Sequence, residues 1–280
     1  MQDKGLTRNT IDKFYTKKEV AKVCIELFED FVNPCKDDII IEPSAGSGAF
    51  SNELFKKYSN AIAIDIEPDD VNIKKEDFLE DFDYEKLQKN KEIHIIGNPP
   101  FGRQSGLAKK FIKKSASFAN SISFILPKSF KKDSFQKTFP LHFHLAYCYN
   151  IPKNSFQLND KDYDVECVFQ IWIKKDVERV IKNIEKCDFY EYVKQDENPD
   201  ISFRRVGVYA GEISREIINK SPQSHYFLKF KSSENKNFID KFIKVYEEHK
   251  NFCFDNTVGP KSISKGELDS FVSSIEELLI

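Results

Sequence analysis

One stretch constrains this chain more than any other. Asp38-Ile39-Ile40-Ile41-Glu42 runs directly into Pro43-Ser44-Ala45-Gly46-Ser47-Gly48, after which Phe50, Leu54 and Phe55 recur on one helical face. A short strand that is apolar on both faces, followed within a few residues by an amphipathic helix, is the repeating unit of a parallel sheet covered by helices on both sides. The alternation continues. Ala61 to Asp65 reads as a second strand, Val71 to Lys75 as a weak third, Ile93 to Ile96 as a fourth and Ile122 to Leu126 as a fifth, with a helix over Leu107 to Phe118. His144 to Ile151 and Val165 to Ile173 are aromatic-rich and extended, and complete seven strands. Ahead of them, Thr16-Lys17-Lys18-Glu19 reads as a capping box that opens a helix through Val20, Val23, Cys24, Leu27 and Phe28. Prolines 99, 100, 127, 140 and 152 stand at strand exits, where they interrupt no ladder.

After about residue 180 the pattern changes, which divides the chain into residues 1–180 and a smaller α+β extension, 181–280. Lys186 to Asp200 is charged, ends in Asn198-Pro199 and reads as a linker. Phe203 to Tyr209 and His225 to Phe230 read as strands, and Phe238, Ile239, Phe242, Ile243 and Tyr246 fall at helical spacing.

Composition limits the function. The 43 basic and 45 acidic residues leave a net charge of −2, which excludes a globally basic nucleic-acid coat and leaves a local patch open. No apolar run approaches a membrane span, and Met1 to Gly5 opens no signal peptide, so an intracellular, cytoplasmic protein without membrane contact is expected. The six cysteines are scattered, with no Cys-x-x-Cys pair, which fits a reducing compartment and predicts no metal site.

The turn from Glu42 to Gly48 lets backbone amides approach a ligand closely. It is neither a phosphate loop, since no Gly-Lys-Ser/Thr follows, nor a full dinucleotide fingerprint, since the third glycine is absent. A Glu ending the first strand would repel pyrophosphate and attract an amine-bearing ligand. Asp65, ending the second strand, occupies the place from which an acid contacts ribose hydroxyls in such sheets, or else is a solvated loop carboxylate. Asn98-Pro99-Pro100-Phe101 follows the fourth strand. Its prolines stiffen a loop that presents one amide side chain and one unpaired carbonyl, two oxygens able to accept from a single amino group. The ring that follows offers a stacking face. This is chemistry for an NH2 on a planar ring.

With those motifs in that order, residues 10 to 175 resemble the S-adenosylmethionine-dependent N6-adenine methyltransferases of the gamma group, in which the cofactor motif precedes the catalytic one. The resemblance implies a Rossmann-like class I methyltransferase sheet, seven-stranded and mostly parallel, and S-adenosyl-L-methionine as cofactor. It implies catalytic roles for Asn98, Pro99, Pro100 and Phe101. Glu42, Pro43, Ala45, Gly46 and Gly48 would hold the cofactor together with Asn98. Asp65 and Ile66 would lie at its ribose, Asp77 and Phe78 at its adenine. Thr16, in Phe14-Tyr15-Thr16, would face its methionine carboxylate. Phe101 and Phe156 would stack on the target base from its two sides.

The partner so implied is nucleic acid, DNA in the first place, with site-specific adenine methylation of the restriction–modification kind. RNA is the alternative, since the same loop serves adenine in either polymer and residues 181–280 are short for a DNA-recognition domain. Methylation of a protein glutamine is less favoured by Glu42-Pro43 and Phe101, because that group carries Asp-x-Gly-x-Gly-Ser-Gly and a Tyr after the prolines. Residues 101 to 137 hold nine basic side chains against Asp133 alone, which makes Lys131 and Lys132 candidate phosphate contacts. Arg204-Arg205 and Asn256 to Lys261 are further candidates for substrate contact.

Overall fold

The computed structural model describes residues 15–87, 90–158, 161–181, 187–231, 236–250 and 261–280. The chain divides into two compact units, Met1–Val180 and Ile181–Ile280.

The first unit contains β1 (Tyr15–Thr16), α1 (Lys18–Val32), β2 (Ile39–Glu42), α2 (Ser51–Lys57), β3 (Ala61–Asp65) and β4 (Lys74–Lys75). Then follow β5 (Ile93–Gly97), α3 (Gly106–Phe118), β6 (Ser121–Pro127), α4 (Asp133–Gln136), β7 (Phe143–Asn150), β8 (Phe156–Leu158), β9 (Lys161–Tyr163) and β10 (Cys167–Lys174). Seven strands form one sheet in the order β4-β3-β2-β5-β6-β10-β7. The first five are parallel, and β10 runs antiparallel to both β6 and β7. This is the Rossmann-like class I methyltransferase architecture.

Strand periodicity assigns the core. In β2, Ile39 and Ile41 pack on one face, with Ala108, Phe111 and Ile112 of α3. Ile40, pointing the other way, packs with Ala21, Cys24 and Phe28 of α1 and Leu54 of α2. Ile95 and Ile96 of β5 divide in the same manner, so the sheet is buried on both faces. From β2 the chain winds outward through β3 and β4, then returns to place β5 and β6 on the other side of β2. The strand order therefore reverses between β2 and β5, and a crevice opens at their carboxyl ends. Apart from this sheet, β1, β8 and β9 form a small antiparallel one.

Several sequence expectations are corrected. Thr16 does not cap α1: the N-cap residue is Lys17, which makes no side-chain capping bond, and Thr16 lies in β1 opposite Phe156. The third strand shrinks to Lys74–Lys75, because Val71 is almost fully exposed and has no face to bury. The expected linker at 186–200 contains β11 (Tyr190–Val193), whose Tyr190 is buried in the second unit's core. The expected strand through Tyr209 stops at Arg204 and gives way to turns around Gly207 and Gly211.

The second unit adds β12 (Ile201–Arg204), β13 (Ile213–Ser214), β14 (His225–Phe230), α5 (Lys236–His249), α6 (Lys265–Ser274) and α7 (Glu276–Leu279). Its antiparallel sheet has the order β11-β14-β12-β13 and shares a core with the helices, in which Phe203 and Phe230 meet Phe242, Tyr246 and Phe271. Among the described residues no helix is long and apolar enough to cross a membrane.

Candidate active site

Glu42, the last residue of β2, is buried at the crevice wall, and its Oε2 has no hydrogen-bond partner among the described residues. Burial holds its carboxyl well above the usual carboxylate range; hydrogen bonding from Ser51 pulls the other way, and nearby Asp65 adds to the rise. Gly97, at the end of β5, lies against it. A Cβ there would meet Glu42 Cγ at 3.2 Å, and φ of +152° suits glycine alone. The glycine before Asn98 is thus what lets the two strand ends approach.

The small-residue turn is held by main-chain bonds, Ala45 N–H donating to Ile64 O and Gly48 N–H to Ala45 O. Gly46, at φ +52°, donates its N–H to Asp65 Oδ2 at 2.8 Å, while Asp65 Oδ1 accepts from Glu67 N–H at 2.8 Å. Asp65 therefore fixes both loops and still lines the crevice. Tyr15 lies across this turn. A Cβ on Gly46 would come within 3.0 Å of its ring, and its hydroxyl donates to Asp69 Oδ2 at 2.7 Å. In the sequence Tyr15 stands only as a neighbour of Thr16, and nothing local marks it as a strap.

Opposite the turn, Asp77 Oδ1 accepts from Leu79 N–H at 2.7 Å, and buried Phe78 packs on Phe111 with ring centroids 5.4 Å apart. Leu79, Leu107 and Phe111 complete an apolar wall that sequence reasoning missed, because apolar positions on a helix and a turn read equally well as plain core. Ile66 and Pro43 also line the crevice; Gly48 does not, and acts in the turn behind it.

Asn98 is held at two points. Its Nδ2 donates to Thr16 Oγ1 at 3.1 Å, and its backbone carbonyl accepts from Ser44 Oγ at 3.2 Å. Thr16, expected at the cofactor carboxylate, lines the crevice and is in contact with the Asn98 amide. Pro99, Pro100 and Phe101 follow along the crevice, with Phe101 half-buried and its carbonyl accepting from Leu107 N–H at the start of α3.

Three expected substrate contacts are not brought to this site. Phe156 is 1% exposed and packs beneath the sheet with Phe169 and Ile25, because β8 pairs with β1 and turns that ring inward. Lys132 is buried, only 7% exposed, and Lys131 is half-buried. Neither lysine lines the crevice. Within the basic run, Lys114 Nζ donates to Leu79 O and Lys109 lies over the Phe135 ring, so part of the charge serves packing. Arg103, Lys110, Lys113 and Lys137 are exposed. Of the segment from Asn256 to Lys261, residues 256–260 lie outside the described residues. Phe14 does as well.

At the opposite, amino-terminal ends of β2 and β5, Asp38, Glu92 and His94 bring one ligand atom each within 4.8 Å of one another, a grouping that could hold a metal ion and that the sequence did not predict. His94 already has a bond at each ring nitrogen, Nδ1 with Ser121 Oγ at 2.8 Å and Nε2 with Asp38 Oδ2 at 3.3 Å.

No family model matches this chain, and no curated protein does. Solved structures do match in part. A Pyrococcus horikoshii protein assigned as an RNA methyltransferase is 15% identical, with 61% of this chain and 92% of that one covered at a TM-score of 0.44. The 23S rRNA methyltransferase ErmE is 12% identical, with 61% and 73% covered at 0.42. The N-methyltransferase NodS from Bradyrhizobium japonicum is 10% identical, with 57% and 96% covered at 0.40. At such distances these likenesses carry no argument about activity, which rests on the residues of the crevice.

Proposed function

We propose that this chain transfers a methyl group from S-adenosylmethionine to the exocyclic amino group of an adenine extruded from nucleic acid, DNA in the first place. The observation that carries this reading is the meeting of Glu42 and Asn98 at the crevice where the strand order reverses, one a buried carboxyl group with an oxygen unpartnered among the described residues, the other an amide oriented by Thr16.

The residues present fit the cofactor. Glu42 Oε2 suits an ammonium group, the Gly46 turn admits close backbone approach, Asp65 stands where ribose hydroxyls would lie, and Asp77 and Phe78 suit a planar amino-substituted ring. When bound, S-adenosylmethionine supplies an electrophilic methyl on a sulfonium. The amino nitrogen of adenine is a weak nucleophile because its lone pair is delocalised into the ring. The Asn98 side-chain oxygen and the Pro99 carbonyl accept its two N–H groups and favour a pyramidal nitrogen with a localised pair. Methyl transfer from the sulfonium would build positive charge on that nitrogen, and the fixed dipoles of Asn98 and Pro99 would stabilise it without reorganising. The surplus proton would then leave to water. Phe101 holds the extruded base by stacking, worth about 1–3 kcal/mol.

The test is methyl transfer from labelled S-adenosylmethionine to double-stranded DNA and to total RNA side by side, with digestion to nucleosides. N6-methyladenine in DNA is the expected result. Label in RNA alone would keep Asn98 to Phe101 in their roles and change the polymer. Label in neither, with cofactor still bound, would turn the reading to a protein amide.

A further inference from the structure

The second unit has a cleft of its own, about 860 Å³, whose walls include Tyr192, Arg205, Ile217, Ile218, Tyr226 and Lys265. Both tyrosine hydroxyls are engaged by hydrogen bonds at the cleft wall. Tyr192 donates to Asp269 Oδ1 at 2.7 Å and Tyr226 to Ile263 O at 3.1 Å, so ring surface is what they offer the cleft. Two cations lie over those rings. Lys265 Nζ is 4.3 Å from the Tyr192 centroid, and the Arg205 guanidinium is 5.4 Å from that of Tyr226. Among the described residues neither cation pairs with a carboxylate: Asp269, the buried acid nearby, accepts from Tyr190 and Tyr192 instead. The surrounding sequence is balanced, with 12 basic and 11 acidic residues between 201 and 280, whereas the cleft walls carry Lys194, Arg205 and Lys265 against Asp196, so the positive excess is local. Ile217 and Ile218 add an apolar wall, and Ile218 is 89% exposed.

Cations with no carboxylate partner among the described residues ask for an anion, and flat ring surface with an aliphatic wall asks for something planar and apolar beside it. A nucleotide unit combines the two. In a duplex the base faces are stacked away, so a strand with accessible bases is required. We infer that this cleft binds single-stranded nucleic acid, with phosphate on Arg205 and Lys265 and base surface against Tyr192 and Tyr226. The inference stands apart from the methyl-transfer reading, which concerns the first unit.

Binding of a short labelled oligothymidylate to the full chain, without cofactor and across a salt series, tests it. Arg205→Gln with Lys265→Glu should weaken binding at least tenfold. It should also lower the slope of log affinity against log salt by about 1.4, the value for two lost single-strand phosphate contacts. Lys265 is exposed in the first turn of α6, where an acid is well placed, so folding should survive; the melting midpoint checks this. Tyr226→Leu should weaken the oligonucleotide but not inorganic polyphosphate. Lys244→Glu, on an exposed position of α5, should change little. Wild-type affinity and slope in the double variant would overturn the inference. So would an equal loss in Lys244→Glu, or equal binding of polyphosphate and oligonucleotide by the wild type.

Discussion

The two ends of the strand pair β2 and β5 carry polar residues of similar kinds and treat them in opposite ways. At the amino ends, Asp38, His94 and Ser121 close a network in which each imidazole nitrogen finds a partner and Asp38 Oδ2 also accepts from Cys35 N–H at 2.6 Å. At the carboxyl ends, Glu42 is buried with an oxygen that has no partner among the described residues, and Asn98 is oriented from behind by Thr16. A buried polar group that satisfies itself holds strands in place. One that stays unsatisfied costs stability and is retained where a ligand completes it. Substitutions at the two ends should therefore separate function from stability.

The largest effect is expected at Asn98. Asn98→Ala should lower kcat by roughly a hundredfold or more, as loss of one preorganised dipole does elsewhere, while S-adenosylmethionine binding measured by calorimetry stays close to wild type. Equal loss of both would contradict the assigned role.

Glu42 comes next. Glu42→Gln should weaken S-adenosylmethionine by roughly tenfold or more, about 1.4 kcal/mol. Its raised carboxyl also gives a sign. The protonated form is favoured in the fold, whereas an ammonium ligand selects the ionised form, so wild-type affinity should rise as pH rises through that elevated value. Stability of the ligand-free protein should fall over the same window, because the group's contribution is full only below the unfolded carboxyl value of about 4.3. Both trends should flatten in Glu42→Gln, and persistence of the affinity trend there would sink the assignment.

Thr16 sharpens the comparison. If its hydroxyl orients the Asn98 amide, Thr16→Val should cost about 1 kcal/mol in the transition state, roughly fivefold in kcat, without changing cofactor affinity, and Thr16→Ser should restore the rate. A fall in cofactor affinity instead would return Thr16 to the methionine carboxylate.

At the opposite end, His94→Gln should leave kcat of the folded enzyme unchanged and lower stability by about 1–3 kcal/mol, seen in denaturant melts. Burial depresses the His94 pKa, with Asp38 opposing, so its stabilising contribution is present above the unfolded value of about 6.5 and is lost as pH falls. The variant should lose that acid-side dependence.

Much of this molecule was legible in its residues. Asp38 to Glu42, Ala61 to Asp65 and Ile93 to Ile96 read as strands because buried parallel strands are apolar on both faces, and the fold brings the residues at their carboxyl ends to one crevice. The errors share a cause. Thr16-Lys-Lys-Glu19 satisfies the local rule for a cap, yet Thr16 faces Asn98, a residue 82 positions away. Phe156 matched a stacking aromatic by position along the chain, but pairing of β8 with β1 turned it into the core. Lys132 read as one cation in an exposed run and is buried. The charged segment after residue 186 hid β11, whose Tyr190 and Tyr192 meet Asp269 across nearly 80 residues.

By itself, then, the sequence determined the alternation of strands and helices, the turn that needs glycine and the rigid Asn-Pro-Pro loop, since each follows from side-chain volume, backbone freedom and periodicity within a few neighbouring residues. Tertiary structure alone decided which polar groups are satisfied and which are left open to a ligand. Burial and hydrogen-bond partnership depend on residues brought together from distant positions, and no local pattern records whether Glu42 or His94 will find its partners inside the protein.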